Sequence, residues 1–131
     1  MNFLTTIREA MDNQESLEFV RTYFDELFEK HNINALDHYL DPDYFDDDIG
    51  NPAVDHVKCS KEFLEDLFRR QPTIGVQVLD AIIRDDVISA YLEWYILENN
   101  NKRTIRKGVA IFRVNREHKI LKRHTFIYYQ E

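Results

Sequence analysis

Residues that could do chemistry are concentrated in the decapeptide Asp41–Gly50, in which five of ten residues are aspartates. Phe45, Asp47 and Ile49 are spaced by two, and in an extended segment such residues point the same way. Asp46 and Asp48 fall on the opposite side. If the apolar side faces inward, Asp47 goes with it, and a carboxylate in an apolar pocket has a raised pKa. Asp47 is thereby a candidate acid or base. The competing reading is a solvated acidic loop or a turn cap.

Other residues could assist. Glu93 lies mid-way along a strand beside Trp94. One face of that strand carries Ile88, Ala90, Leu92, Trp94 and Ile96, and the other Ser89, Tyr91, Glu93, Tyr95 and Leu97. Both are rich in apolar bulk, so one should face a cavity and the other a second subunit. If the tyrosine face is inward, Glu93 is a second buried acid and Tyr91 a wall residue; otherwise Glu93 is an interface ion-pair partner. Along the last strand Leu121, Arg123, Thr125, Ile127 and Tyr129 separate from Ile120, Lys122, His124, Phe126 and Tyr128. An inward Arg123 would pair Asp47 or hold a ligand anion. His124 could serve as a base near neutral pH, and otherwise belongs to the outer face.

Several chemistries are excluded. The acidic run does not fit a calcium loop, because Phe45 and Asp46 occupy the places of a ligand and the obligatory glycine. The histidines have no metal-ligand spacing, and three scattered glycines make no phosphate loop. Cys59 is the only cysteine, so no internal disulfide forms. A net charge of −7 disfavours nucleic acid as a partner, although nine of 17 basic residues lie between Lys102 and Arg123. No segment approaches a membrane span and the start lacks a signal-peptide pattern, which points to a cytoplasmic protein.

The elements that must position these residues are legible. The 131 residues suit one domain, 1–131, with residues 1–13 as an extension or short helix carrying Phe3, Leu4, Ile7 and Met11. Leu17, Val20, Phe24, Leu27 and Phe28 form one stripe of a helix over 13–30. A short helix over 33–40 stops before Pro42. Ser60 can cap a third helix to Arg70, with Phe63, Leu64, Leu67 and Phe68 inward. After Pro72 the period becomes two, giving strands over 76–84, 87–98, 103–114 and 120–129. Helices followed by an antiparallel meander indicate an α+β fold with helices on one face of the sheet. Such long strands should curl around the helices and leave a cavity.

The run Tyr23 to Leu40, the Asp41 to Pro52 segment, the helix from Ser60, the Asp85-Asp86-Val87 hairpin and the ending from Lys119-Ile120-Leu121 resemble the SnoaL-like family. The resemblance covers residues 14–131. It implies the nuclear-transport-factor-2-like fold, a cone of helices in a strongly curved antiparallel sheet. That fold hosts cofactor-free polyketide cyclases, ketosteroid isomerases, epoxide hydrolases and dehydratases, and also non-catalytic binding or assembly domains. By resemblance, one catalytic acid follows the second helix, at Asp47 or Asp48, with Asn51 a further position. The other precedes the Phe-x-hydrophobic motif of the third long strand, where Ala110 stands ahead of Phe112 and the acid is missing. Epoxide hydrolases of this fold imply an acid pair around an arginine, here Asp47, Glu93 and Arg123. Isomerases imply a donor tyrosine on the first helix, here Tyr23. The cavity wall would then include Phe24, Phe28, Phe63, Trp94, Phe112 and Thr125. The expectation is an apolar pocket for a small lipophilic molecule, with or without catalysis, in a homodimer formed through the outer sheet face.

Overall fold

The computed structural model describes residues 10–131, so the short helix expected around Phe3, Leu4 and Ile7 lies outside the described residues. Helix α1 (Asn13–Phe24) begins at Asp12, whose carboxylate accepts from the Glu15 N–H at 2.7 Å while Glu15 accepts from the Asp12 N–H. This reciprocal capping satisfies two otherwise orphaned donors. The rod continues through a wider π-helical turn, Asp25–Glu29, and ends where His31 turns to positive φ. Val20, Phe24, Leu27 and Phe28 are all buried, as their spacing requires.

A 3-10 turn (Ile33–Ala35) leads into α2 (Leu36–Tyr39), and Leu40 is already extended, two residues ahead of Pro42. The chain then forms β1 (Leu40–Asp46), followed by α3 (His56–Arg70). Helix α3 starts four residues before Ser60. Its cap is Asp55, which accepts from the Val57 and Lys58 N–H groups, whereas Ser60 donates to the His56 carbonyl one turn in. Aspartate caps as well as serine does, and the first turn of α3 carries too little apolar patterning to reveal it.

Strands β2 (Gly75–Arg84), β3 (Val87–Glu98), β4 (Asn101–Val114) and β5 (Ile120–Gln130) form the expected meander. Asn99 and Asn100 close the β3–β4 hairpin, both at positive φ, a conformation that asparagine tolerates. The sheet order is β1-β5-β4-β3-β2. Because β1 runs parallel to β5, the sheet is mixed rather than wholly antiparallel. Irregularities in every strand pairing bend it around the helices. Ile88, Ala90, Leu92 and Trp94 of β3 face this concave side and are buried. No described helix is long and apolar enough to cross a membrane.

Candidate functional site

A cavity of about 380 Å³ opens between α1, α3 and the concave face of the sheet. Phe24, Leu27, Phe28, Leu64 and Trp94 give it apolar walls, and Phe63 stands exposed at its mouth. Its floor is polar. Tyr44 and Asp46 of β1 both point inward, and Asp46 is only 3% exposed.

Asp46 is held from every side. Its Oδ2 accepts from the Tyr44 hydroxyl (2.9 Å) and from Arg123 Nε (3.2 Å) and Nη2 (3.0 Å). Its Oδ1 accepts from the Asp48 N–H at 2.9 Å. Its own N–H donates to His56 Nδ1 at 2.8 Å, and His56 Nε2 lies 2.7 Å from the Asn51 carbonyl. Those two partners assign His56 as the Nε2–H tautomer, an acceptor on one side and a donor on the other. Arg123 Nη2 also reaches Asp48 at 3.3 Å. Both oxygens of the Asp46 carboxylate are thus already taken by charge-assisted hydrogen bonds from the protein.

The parity of the acidic segment is the reverse of that expected. Tyr44 and Asp46 face the interior, and Asp47 lies beyond the strand end. The Asp47 N–H donates to the Arg123 carbonyl, and its carboxylate lies 3.5 Å from Lys122 Nζ and 3.6 Å from His124 Nδ1, off the cavity. Phe45 finds its apolar contact elsewhere, stacked on the His56 ring at 4.6 Å with the Lys122 ammonium over it. Grouping Asp47 with Phe45 therefore sent the wrong carboxylate inward.

Other expected site residues are also placed away from the cavity. Tyr91 and Glu93 are on the convex face, since the Trp94 face is the inward one, and Glu93 lies 3.8 Å from Lys107. Asn51 is exposed, and its side chain accepts from the Ala53 N–H. Ala110, fully buried opposite Ala90, and Phe112, packed against the rings of Tyr23 and Phe24, are core rather than lining. The cavity does bring together Tyr23, Phe24, Phe28, Asp48, Phe63, Trp94, Arg123 and Thr125.

Among the described residues, two hydroxyls at this cavity have no hydrogen-bond partner and one cation has no carboxylate partner. Tyr23 hydrogen-bonds to no described residue, and burial pushes its hydroxyl up to about 12, Asp46 adding to this while Arg123 opposes it. Thr125 Oγ1 is buried without a partner among the described residues. Arg106 lies over the Trp94 ring, 5.7 Å from its centre. Tyr44, raised by burial against the pull of Arg123, stays a neutral donor. Sequence reasoning missed Tyr44, Asp46 and Arg106. Arg106 was readable, because it shares the two-residue period of Gly108, Ala110 and Phe112. Among the described residues no group of three His, Cys, Asp or Glu side chains could hold a metal ion.

The fold has many solved likenesses. A candidate polyketide cyclase from Bacillus cereus superposes with a TM-score of 0.70 at 13% identity, covering 97% of this chain and 91% of the other. One from Acidithiobacillus ferrooxidans gives 0.68 at 17% identity, covering 90% and 92%. A SnoaL-like polyketide cyclase from Agrobacterium tumefaciens gives 0.65 at 12%, covering 85% and 90%. At such identities these likenesses speak for the fold alone. No curated protein matches the chain. The SnoaL-like domain family matches residues 20–123, a span that runs from Val20 of α1 to the arginine that holds Asp46. The helices and the bent sheet are thus those of a SnoaL-like domain, and the chain belongs to that family.

Proposed function

We propose that the cavity binds one small, mostly apolar molecule, with Tyr23 and Thr125 hydrogen-bonding an oxygen of that ligand. The observation that carries this reading is Thr125 Oγ1, a buried hydroxyl at the cavity with no partner among the described residues. Buried polar atoms are nearly always bonded, and rotation of the Thr125 side chain would turn this hydroxyl to a guest in the cavity that the residue lines. Trp94 in the wall is the only tryptophan of the chain, so its fluorescence reports occupancy. A screen of lipophilic ketones, esters and phenols should yield compounds that quench Trp94. Thr125→Val and Tyr23→Phe should each weaken the best of them by roughly 1 kcal/mol, about fivefold. Failure of every compound to perturb Trp94 would remove the reading.

A second reading is cofactor-free catalysis of the cyclase, isomerase, hydrolase or dehydratase type, and one observation favours it. Tyr23 keeps its proton to about 12, so it could donate to a developing oxyanion in a dry site. Asp46 would then be the anchor of Arg123 and not a base. Asp48, which lines the cavity with Arg123 on one oxygen, would be the carboxylate that exchanges a proton with the guest. Turnover that survives both Tyr23→Phe and Asp48→Asn would exclude this chemistry. We further propose that the convex sheet face pairs with a second copy of the chain.

A further inference from the structure

We propose that the guest of this cavity carries a single anionic group, a carboxylate or its equivalent, which Arg106 receives while the apolar body lies against Trp94. The inference rests on the binding role proposed above and narrows its ligand class. Arg106 pairs with Trp94 across the β3–β4 ladder and shares the inward period of Gly108, Ala110 and Phe112. An arginine on the concave face of a sheet surrenders part of its hydration, which is unfavourable unless a counter-charge is present. The other arginine at the cavity has such charges, since Arg123 bonds both Asp46 and Asp48. Arg106 has none, because no carboxylate among the described residues lies within ion-pair distance of it. Its guanidinium carbon lies 5.7 Å from the centre of the Trp94 ring, and it donates to no described residue, so its N–H groups are available to take a carboxylate with two parallel bonds. The chain as a whole is at −7, so its overall field does not draw anions and the attraction is local to this side chain.

Two fluorescent probes with the same aromatic body test the charge. Anilinonaphthalenesulfonate carries one anionic group, and N-phenylnaphthylamine is its uncharged parent. Each should quench Trp94 by energy transfer. Arg106→Gln should weaken the sulfonate by about tenfold or more, the size of one charge-assisted contact. The same variant should leave the neutral probe within about twofold, because the aromatic body still has its wall. Arg106→Lys, which keeps the charge and loses the fork, should fall between. Circular dichroism checks that each variant is folded. Equal weakening of both probes would mean that Arg106 only covers Trp94, and an unchanged sulfonate affinity would mean that it faces solvent; either overturns the proposal. If neither probe quenches Trp94 in the wild type, the cavity reading fails first and this one with it. If both quench it without regard to Arg106, only the anionic class fails.

Discussion

At the scale of single residues, the deciding group is Asp46. Removing its charge leaves the half-buried Arg123 with only the outer carboxylate of Asp48. Breaking one partner of a buried pair typically costs about 3–5 kcal/mol. Asp46→Asn should therefore lower the urea-unfolding free energy by roughly 3 kcal/mol, whereas Asp47→Asn, whose partners are half-exposed, should stay within about 0.5 kcal/mol. Similar losses for the two would contradict the parity seen here. That parity was not legible in the sequence. Alternation identifies which residues share a face, but not which face is inward, and the two largest apolar markers, Tyr44 and Phe45, sit on opposite faces. The ring that goes inside is settled by pairing with β5, and Phe45 is instead sheltered by His56, eleven positions along the chain. A second consequence belongs to Tyr23. Its folded pKa of about 12 exceeds the unfolded value near 10, so the folded state keeps a proton that the unfolded state loses. The stabilisation is complete below pH 10 and is lost as pH rises from 10 towards 12. Tyr23→Phe should flatten the decline of stability between pH 10 and 11 by roughly 1 kcal/mol relative to wild type. An identical decline in both proteins would show that the hydroxyl is solvated.

At the scale of elements, the four meander strands were readable because each carries a two-residue period over most of its length and Asp or Asn turns separate them. Their ends match to within three residues. The helix boundaries were less so, and α3 shows why: its run of buried apolar residues begins only at Leu64, well after the helix does, and Phe63, expected inward, is exposed. Asp55→Ala should cost about 1 kcal/mol by removing the true cap, while Ser60→Ala should cost no more than about 0.5 kcal/mol. Thermal denaturation of the pair decides between the two starts. Gly108 sets the joint between cavity and sheet, at the irregularity where β4 meets β5. A Cβ there would stand 2.5 Å from the Phe126 carbonyl oxygen, 3.0 Å from Ile127 and 3.3 Å from Trp94. The carbonyl is backbone and cannot rotate away, so Gly108→Ala must shift β5. Its expected cost is about 2 kcal/mol, accompanied by a change in Trp94 emission because the cavity wall moves with the strand.

At the scale of the whole molecule, the sheet separates two tasks. Its concave side holds the cavity, and its convex side carries an apolar surface that no described helix covers. In one row across the ladder Tyr91, Val109 and Phe126 are neighbours, and in the next Ser89, Ile111 and His124. Tyr91 is 42% exposed and Phe126 54%, while the Glu93–Lys107 pair lies to one side as a polar margin. An aromatic centre with a charged border is the anatomy of a protein interface, and two copies of one face are self-complementary when related by a two-fold axis. Phe126→Asp would place a carboxylate at the centre of that contact, opposite its own symmetry mate. Loss of a central aromatic anchor is worth about 2 kcal/mol or more. The wild type should therefore sediment as a dimer at micromolar concentration, and the variant as a monomer. The monomeric variant should still quench Trp94 with the same probes, because the cavity lies on the other face of the same strands. A wild-type monomer would remove the interface. A monomeric variant that has also lost the cavity would show instead that the two faces of the sheet are not independent, and that pairing is what holds the bent strands in shape.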